Sequence, residues 1–325
     1  MKSVAKSLNI GLLLVFLFLL HEHMAYGQKK RKSNTKEDQI HEQTEEDKKL
    51  LNEIQYYNVI TPLAKTDSGL FIVHLVDDKY YFEIPQALLE KDMLMISRIA
   101  KIPNGLGGGY INAGTKMHEQ VVRWEKKYNK VLLRTKSFVS MASDSLPINL
   151  SVLINNYEPI IHAFDIKTYN PDSTNLVIDV TNFFTSDIKA ISGLDADLRE
   201  DYKVGKLDED RSFIDRISSY PENVEIRHEL TYTATKPPEG NSTGAISLLM
   251  NQSMILLPEE PMMPRFHDPR VGWFTLNRID YGSDELKADS RRIIRRWRLE
   301  PSDKEAYARG ELVEPVKPIV YYLDP

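Results

Sequence analysis

From residue 70 to residue 257 the chain alternates short runs of β-branched and aromatic residues with clusters of Asp, Asn, Gly, Pro and Lys. This punctuation limits the fold more than any other feature. Residues 70–76 and 80–84 flank Asp77-Asp78-Lys79, residues 120–124 and 131–135 flank 125–130, and residues 160–168 and 175–181 flank Asn170-Pro171-Asp172-Ser173. Each pair predicts a hairpin. Further strands are predicted at 94–100, 224–235, 246–257, 273–279, 293–299 and 319–323, with a short helical link at 85–91 and a break at 140–147. Leu50, Leu51, Ile54 and Tyr57 lie at helical spacing before Pro62, as do Phe213, Ile214 and Ile217 before Pro221, so helices are predicted there and over 208–220. Helical crossovers are too few for a doubly wound parallel sheet. The expectation is a β-rich α+β fold, with antiparallel sheets built from successive hairpins and a few short helices.

The ends of the chain are of a different kind. Residues 1–27 carry Lys2 and Lys6, an apolar run at 10–20, and Ala25-Tyr26-Gly27 with small residues at the cleavage positions, which is the pattern of a signal peptide. Eleven apolar residues fall short of the roughly 20 needed to span hydrocarbon, so no transmembrane anchor is expected. The mature chain is expected to be exported to the periplasm, outer surface or extracellular space. Residues 28–49 are almost entirely charged or polar and read as a disordered leader. A small β-rich domain is expected over 50–104 and a larger β-rich α+β domain over 105–316, with the boundary at the glycine stretch 105–109.

Composition narrows the chemistry. With 42 Lys plus Arg against 47 Asp plus Glu, the net charge of −5 is too close to neutral to make nucleic acid the expected partner. The absence of cysteine removes disulfides, thiolate nucleophiles and Cys-ligated zinc. His41-Glu42, His118-Glu119 and His228-Glu229 each begin like a zinc-protease helix, but none has the second histidine four residues on, and His118 and His228 read as exposed strand residues. Gly240-Asn241-Ser242-Thr243-Gly244 matches the spacing of a hydrolase nucleophile elbow, yet Pro237 and Pro238 stand where the lead-in strand belongs. The glycines at 105–109 lack the Lys-Ser/Thr of a phosphate loop and, with Tyr110, the third Gly of a dinucleotide turn. The acidic residues between Asp195 and Asp210 fail calcium-loop spacing and read as a solvated stretch. No catalytic, cofactor-binding or metal-ligating residue is therefore expected in the chain.

Two segments stand out. Arg291, Arg292, Arg295, Arg296 and Arg298 surround Trp297, and FHDPRVGWF at 266–274 is stiffened by Pro261, Pro264 and Pro269 and suggests an ion pair between Asp268 and Arg270. These runs, with ISRIAKIPNGLGGGYINAG (96–114), EQVVRWEKKYNKVLLR (119–134), DEDRSFIDRISSYPENVEIRHELTYT (208–233), MPRFHDPRVGWF (263–274), RRWRLEPSD (295–303) and KPIVYYLDP (317–325), resemble the N-terminal half of bacterial secreted zinc-dependent metalloproteases with a metzincin-like catalytic domain. The resemblance implies the non-catalytic N-terminal portion of such a peptidase, supporting folding, substrate positioning or latency. Residues 317–325 are then the start of the lead-in to the zinc domain. HExxH follows later in that family, so no zinc ligand carries over to any residue here and the chain alone is expected to be inactive, with zinc held by the downstream domain. Asp268, Arg270, Gly272 and Trp273 are the candidate interdomain contact. The partners expected are that catalytic domain and a protein or peptide substrate. The alternative is a freestanding envelope module that binds protein or glycan.

Overall fold

The turn residues set the register of the main sheet. The computed structural model describes residues 45–238, 242–282 and 287–321. Strands β2 (Ile72–Val76) and β3 (Lys79–Pro85) are joined through Asp77 and Asp78, both at positive φ (46° and 64°), the left-handed pair that matches strand twist in a two-residue hairpin loop. β5 (Lys116–Lys127) with β6 (Lys130–Lys136), β8 (Ile160–Tyr169) with β9 (Asn175–Asp179), and β12 (Asn223–Ala234) with β13 (Ala245–Leu256) are further antiparallel pairs of consecutive strands, joined by loops of other kinds. With β1 (Lys65–Ser68), β4 (Asp92–Lys101), β10 (Val204–Leu207) and β11 (Phe213–Ser219) they form a twelve-stranded sheet in the order β1-β2-β3-β9-β8-β6-β5-β4-β13-β12-β10, with β11 also on β12. Every pairing in it is antiparallel, so the β-rich α+β expectation holds.

The sheet curls until its first hairpin meets β11. Leu70 N–H donates to Tyr220 O at 2.7 Å and Ser219 Oγ to Phe71 O at 2.8 Å. Gly69 is what allows this approach: a Cβ there would stand 2.6 Å from the Tyr220 backbone. Inside the curl Phe71, Phe82, Trp124, Phe164, Phe183 and Phe184 form a buried aromatic cluster. Phe183 and Phe184 come from α3 (Thr181–Thr185). The sheet takes strands from both sides of the glycine stretch, because β4 lies between β5 and β13 while β3 pairs with β9. Strands from 50–104 and from 105–256 thus share one sheet and one core cluster.

Several local expectations are corrected. Residues 208–220 are not a helix: a single 3-10 turn (Glu209–Arg211) leads into β11. The register shifts between Ile214, opposite His228, and Arg216, opposite Arg227. That one-residue bulge places Ile214 and Ile217 three apart, which imitates helical spacing in a strand. Helix α1 (Glu45–Val59) starts inside the stretch 28–49, so the backbone of 45–49 is helical, while the rest of that stretch and residues 1–27 lie outside the described residues. The face of α1 that packs is also different. Tyr56 and Val59 cover Val76 and Val177, and Lys49 and Asn52 reach Asp172 and Ser173 at 2.8 Å each. Leu50, Leu51, Ile54 and Tyr57 are exposed. The stretch 140–147 contains β7 (Ser140–Met141) and is followed by the unanticipated α2 (Ile148–Asn155). Strand character ends at Ile294 and is missing from 295–299 and 319–321; Tyr322 and Leu323 lie outside the described residues. Among the described residues no helix is long and apolar enough to cross a membrane.

Candidate functional site

His228 departs most from its expected place. Its alternating strand pattern predicts an exposed histidine, yet it is fully buried. The alternation Val224, Ile226, His228, Leu230, Tyr232 puts it on the inner face of β12, and this is the signal that the expectation overlooked. A polar line crosses three strands there. Ser97 on β4 donates to Gln252 on β13, Gln252 Nε2 donates to His228 Nε2 at 2.9 Å and to Ile191 O at 3.0 Å, and His228 Nδ1–H donates to Phe184 O at 2.6 Å. Accepting at Nε2 requires the neutral ring, and burial pushes its pKa down to about 4. The line ties two carbonyls left open at helix ends to the sheet, which is structural work.

A second buried cluster fastens α1. Glu83 accepts from Tyr56 Oη at 2.8 Å and Asn175 Nδ2 at 2.7 Å, and His74 Nε2 lies 3.1 Å from it while His74 Nδ1 lies 2.8 Å from Thr66 Oγ1. Burial alone would raise the Glu83 carboxyl, but the hydrogen bonds from His74, Asn175 and Tyr56 outweigh it and hold the pKa below its ordinary value.

Exposed chemistry concentrates instead after residue 260. β14 (Thr275–Asp280) and β15 (Asp289–Ile294) form a hairpin, to which β7 adds in parallel. Segment 263–267 runs beside β15: Phe266 bridges to Ile293, His267 N–H donates to Arg292 O at 2.9 Å, and Ile294 N–H donates to Arg265 O at 2.8 Å. A second pairing, Pro301 with Pro315, brackets α4 (Lys304–Ala308), whose N-terminus is capped by Asp303 Oδ1 accepting from Glu305 N at 3.0 Å and Ala306 N at 2.9 Å. Between these pieces opens a groove of 1190 Å³. Trp273, Phe274, Trp297 and Tyr307 line it, and they are 50%, 87%, 61% and 59% exposed.

The candidate contact residues divide there. Gly272 and Trp273 line the groove. Asp268 and Arg270 sit on the loop leading into it and hold each other: Arg270 Nε and backbone N donate to Asp268 Oδ1 at 2.9 Å, and Nη2 to Oδ2 at 2.5 Å. These donors push the Asp268 pKa down to about 2. Arg291 and Arg298 are likewise engaged, with Asp280 at 3.1 Å and Glu300 at 2.7 Å. Arg265, Arg295 and Arg296, which also line the groove, form no ion pair among the described residues. Glu119 feels the charge of Arg295 but is hydrogen-bonded to Lys116. Tyr307 was missed by the sequence reading, although Ser302-Asp303 followed by Glu305 is a helix-start signal. Ser242 is exposed at the edge of a loop whose residues 239–241 lie outside the described residues. Among the described residues no three His, Asp or Glu side chains are grouped to hold a metal ion.

A curled antiparallel sheet carrying a separate small sheet and an aromatic groove thus defines the class of domain. The chain belongs to the family described as Domain of unknown function (DUF5117), whose model matches residues 114–302, and residues 54–102 match Domain of unknown function (DUF5118). No curated protein and no solved structure matches it. The groove residues from Arg265 to Pro301 fall within the first match.

Proposed function

We propose that the chain is the non-catalytic N-terminal portion of an exported zinc-dependent metallopeptidase, and that the face bearing the 263–316 groove docks its downstream metzincin-like catalytic domain. One observation carries this reading. The two runs with the most specific resemblance to such peptidases, DPRVG at 268–272 and RWRLEP at 296–301, come from separate parts of the chain and meet at one groove, which the first enters at Gly272 and the second lines with Arg296, Trp297, Leu299, Glu300 and Pro301, and whose large aromatic side chains stay exposed. Exposed apolar surface of this kind, mixed with Arg, is the composition of an interface. Zinc belongs to the docked domain in this reading, and the role of the present chain is support, substrate positioning or latency.

Hydrogen exchange tests the docking. Backbone amides at 272–274 and 295–299 are expected to exchange at least about tenfold more slowly in the native polypeptide than in the isolated 325-residue chain. Equal exchange in the two would contradict it.

A further inference from the structure

The charge on the groove narrows what it can hold, and this step rests on the docking reading above. Of its lining residues, Arg265, Arg295 and Arg296 are cationic and Glu300 is the sole acid among the described residues, already taken by Arg298 at 2.7 Å. Arg296 is held in place, with Nη1 on Trp297 O at 3.3 Å and Nη2 on Met263 O at 2.8 Å, so its charge is fixed rather than swinging in solvent. Trp297 itself is steadied by Tyr321, edge to face at 6.4 Å. Planar guanidinium groups beside exposed indole rings favour a carboxylate next to an apolar or aromatic side chain, since Arg forks onto carboxylates while Trp and Tyr supply the apolar contact. At 1190 Å³ the groove also exceeds the roughly 300–1,000 Å³ of small-molecule sites, which suits an extended chain better than a metabolite.

We infer that the groove formed by Trp273, Trp297, Tyr307, Arg265, Arg295 and Arg296 binds an acidic polypeptide segment that places an aromatic or aliphatic side chain between its carboxylates. The partner contributes the negative charge that this face lacks. Added salt weakens the complex, because the guanidinium groups are at the surface.

The test uses the 325-residue chain and a fluorescein-labelled random Glu–Tyr copolymer, read by fluorescence anisotropy. Saturable binding is expected, weaker for poly-glutamate and missing for a Lys–Tyr copolymer. Arg295→Glu combined with Arg296→Glu, and separately Trp297→Ala, should each weaken it at least about tenfold, while Lys79→Glu on the β2–β3 hairpin, which does not line the groove, should not. Thermal midpoints matching the unmodified chain show that the variants fold. No binding, equal binding of the Lys–Tyr copolymer, or indifference to both groove variants would overturn the inference. Alginate or single-stranded oligothymidine binding as tightly as the Glu–Tyr copolymer would also overturn it, in favour of a glycan or nucleic-acid site. The outcome is separable from the peptidase reading: copolymer binding by the 325-residue chain together with a native polypeptide that carries no zinc domain keeps the groove and removes the peptidase, whereas no copolymer binding with a zinc domain present removes only the acidic segment.

Discussion

Replacing Glu83 with Ala should destabilise the fold by about 3–5 kcal/mol, because it strips the shared acceptor from three donors in a site that is 3% exposed. Tyr56 Oη, Asn175 Nδ2 and the His74 ring would be left facing one another without a carboxylate. Tyr56 is the member of this cluster on α1, so the loss should appear first as release of that helix and cleavage by trypsin near Lys49, before the sheet opens. Glu83→Gln keeps an acceptor oxygen and should cost less. Urea unfolding of the three proteins checks the order, and a cost below about 1 kcal/mol for Glu83→Ala would mean that water replaces the carboxylate. The sign with pH follows from the lowered pKa of Glu83: its contribution is complete above the unfolded carboxyl value of 4.5 and disappears as pH falls through the folded value.

Acid should weaken the protein well before carboxylates titrate. His228 titrates at 6.5 when unfolded and at about 4 when folded, so below 6.5 the unfolded chain takes up a proton that the native core refuses. Stability is full above pH 6.5 and declines as pH drops towards 4, by up to roughly 3 kcal/mol from this group. Burial lowers the His162 pKa as well, so it adds in the same direction. Urea midpoints at about pH 7 and pH 5 should differ clearly in the unmodified chain and much less in His228→Gln, although that variant starts from lower stability. A midpoint independent of pH over that interval would show that the folded ring takes up protons as readily as the unfolded one.

What could be read from the sequence follows the reach of each signal. The Asp77-Asp78 and Asn170–Ser173 turns are local chemistry, so the hairpins around them were legible. β11 was not, because its bulge shifts the apolar phase and its pairing with β12 is decided by residues beyond its own window. α1 was placed correctly as an element but given the wrong face. Its apolar stripe at Leu50, Ile54 and Tyr57 is stronger in sequence than the Tyr56–Val59 face, and what chooses the latter is the buried Glu83, a contact 27 residues away. The groove shows the same limit. DPRVG and RWRLEP were conspicuous one at a time for their Pro, Arg and aromatic content, yet nothing local says that Phe274 O will accept from Arg295 N–H and bring them together. Which arginines stay unpaired is likewise a property of the assembled surface: Arg291 and Arg298 have carboxylates within reach and Arg295 and Arg296 do not.

The proposal that this chain works as part of a zinc peptidase is tested most directly on the native polypeptide. An antibody raised against the 325-residue chain should isolate from the exported fraction of its source a species well above 37.5 kDa that carries about one zinc per molecule after dialysis. A species no larger than 37.5 kDa, with no zinc and no larger polypeptide bound to it, would contradict the account.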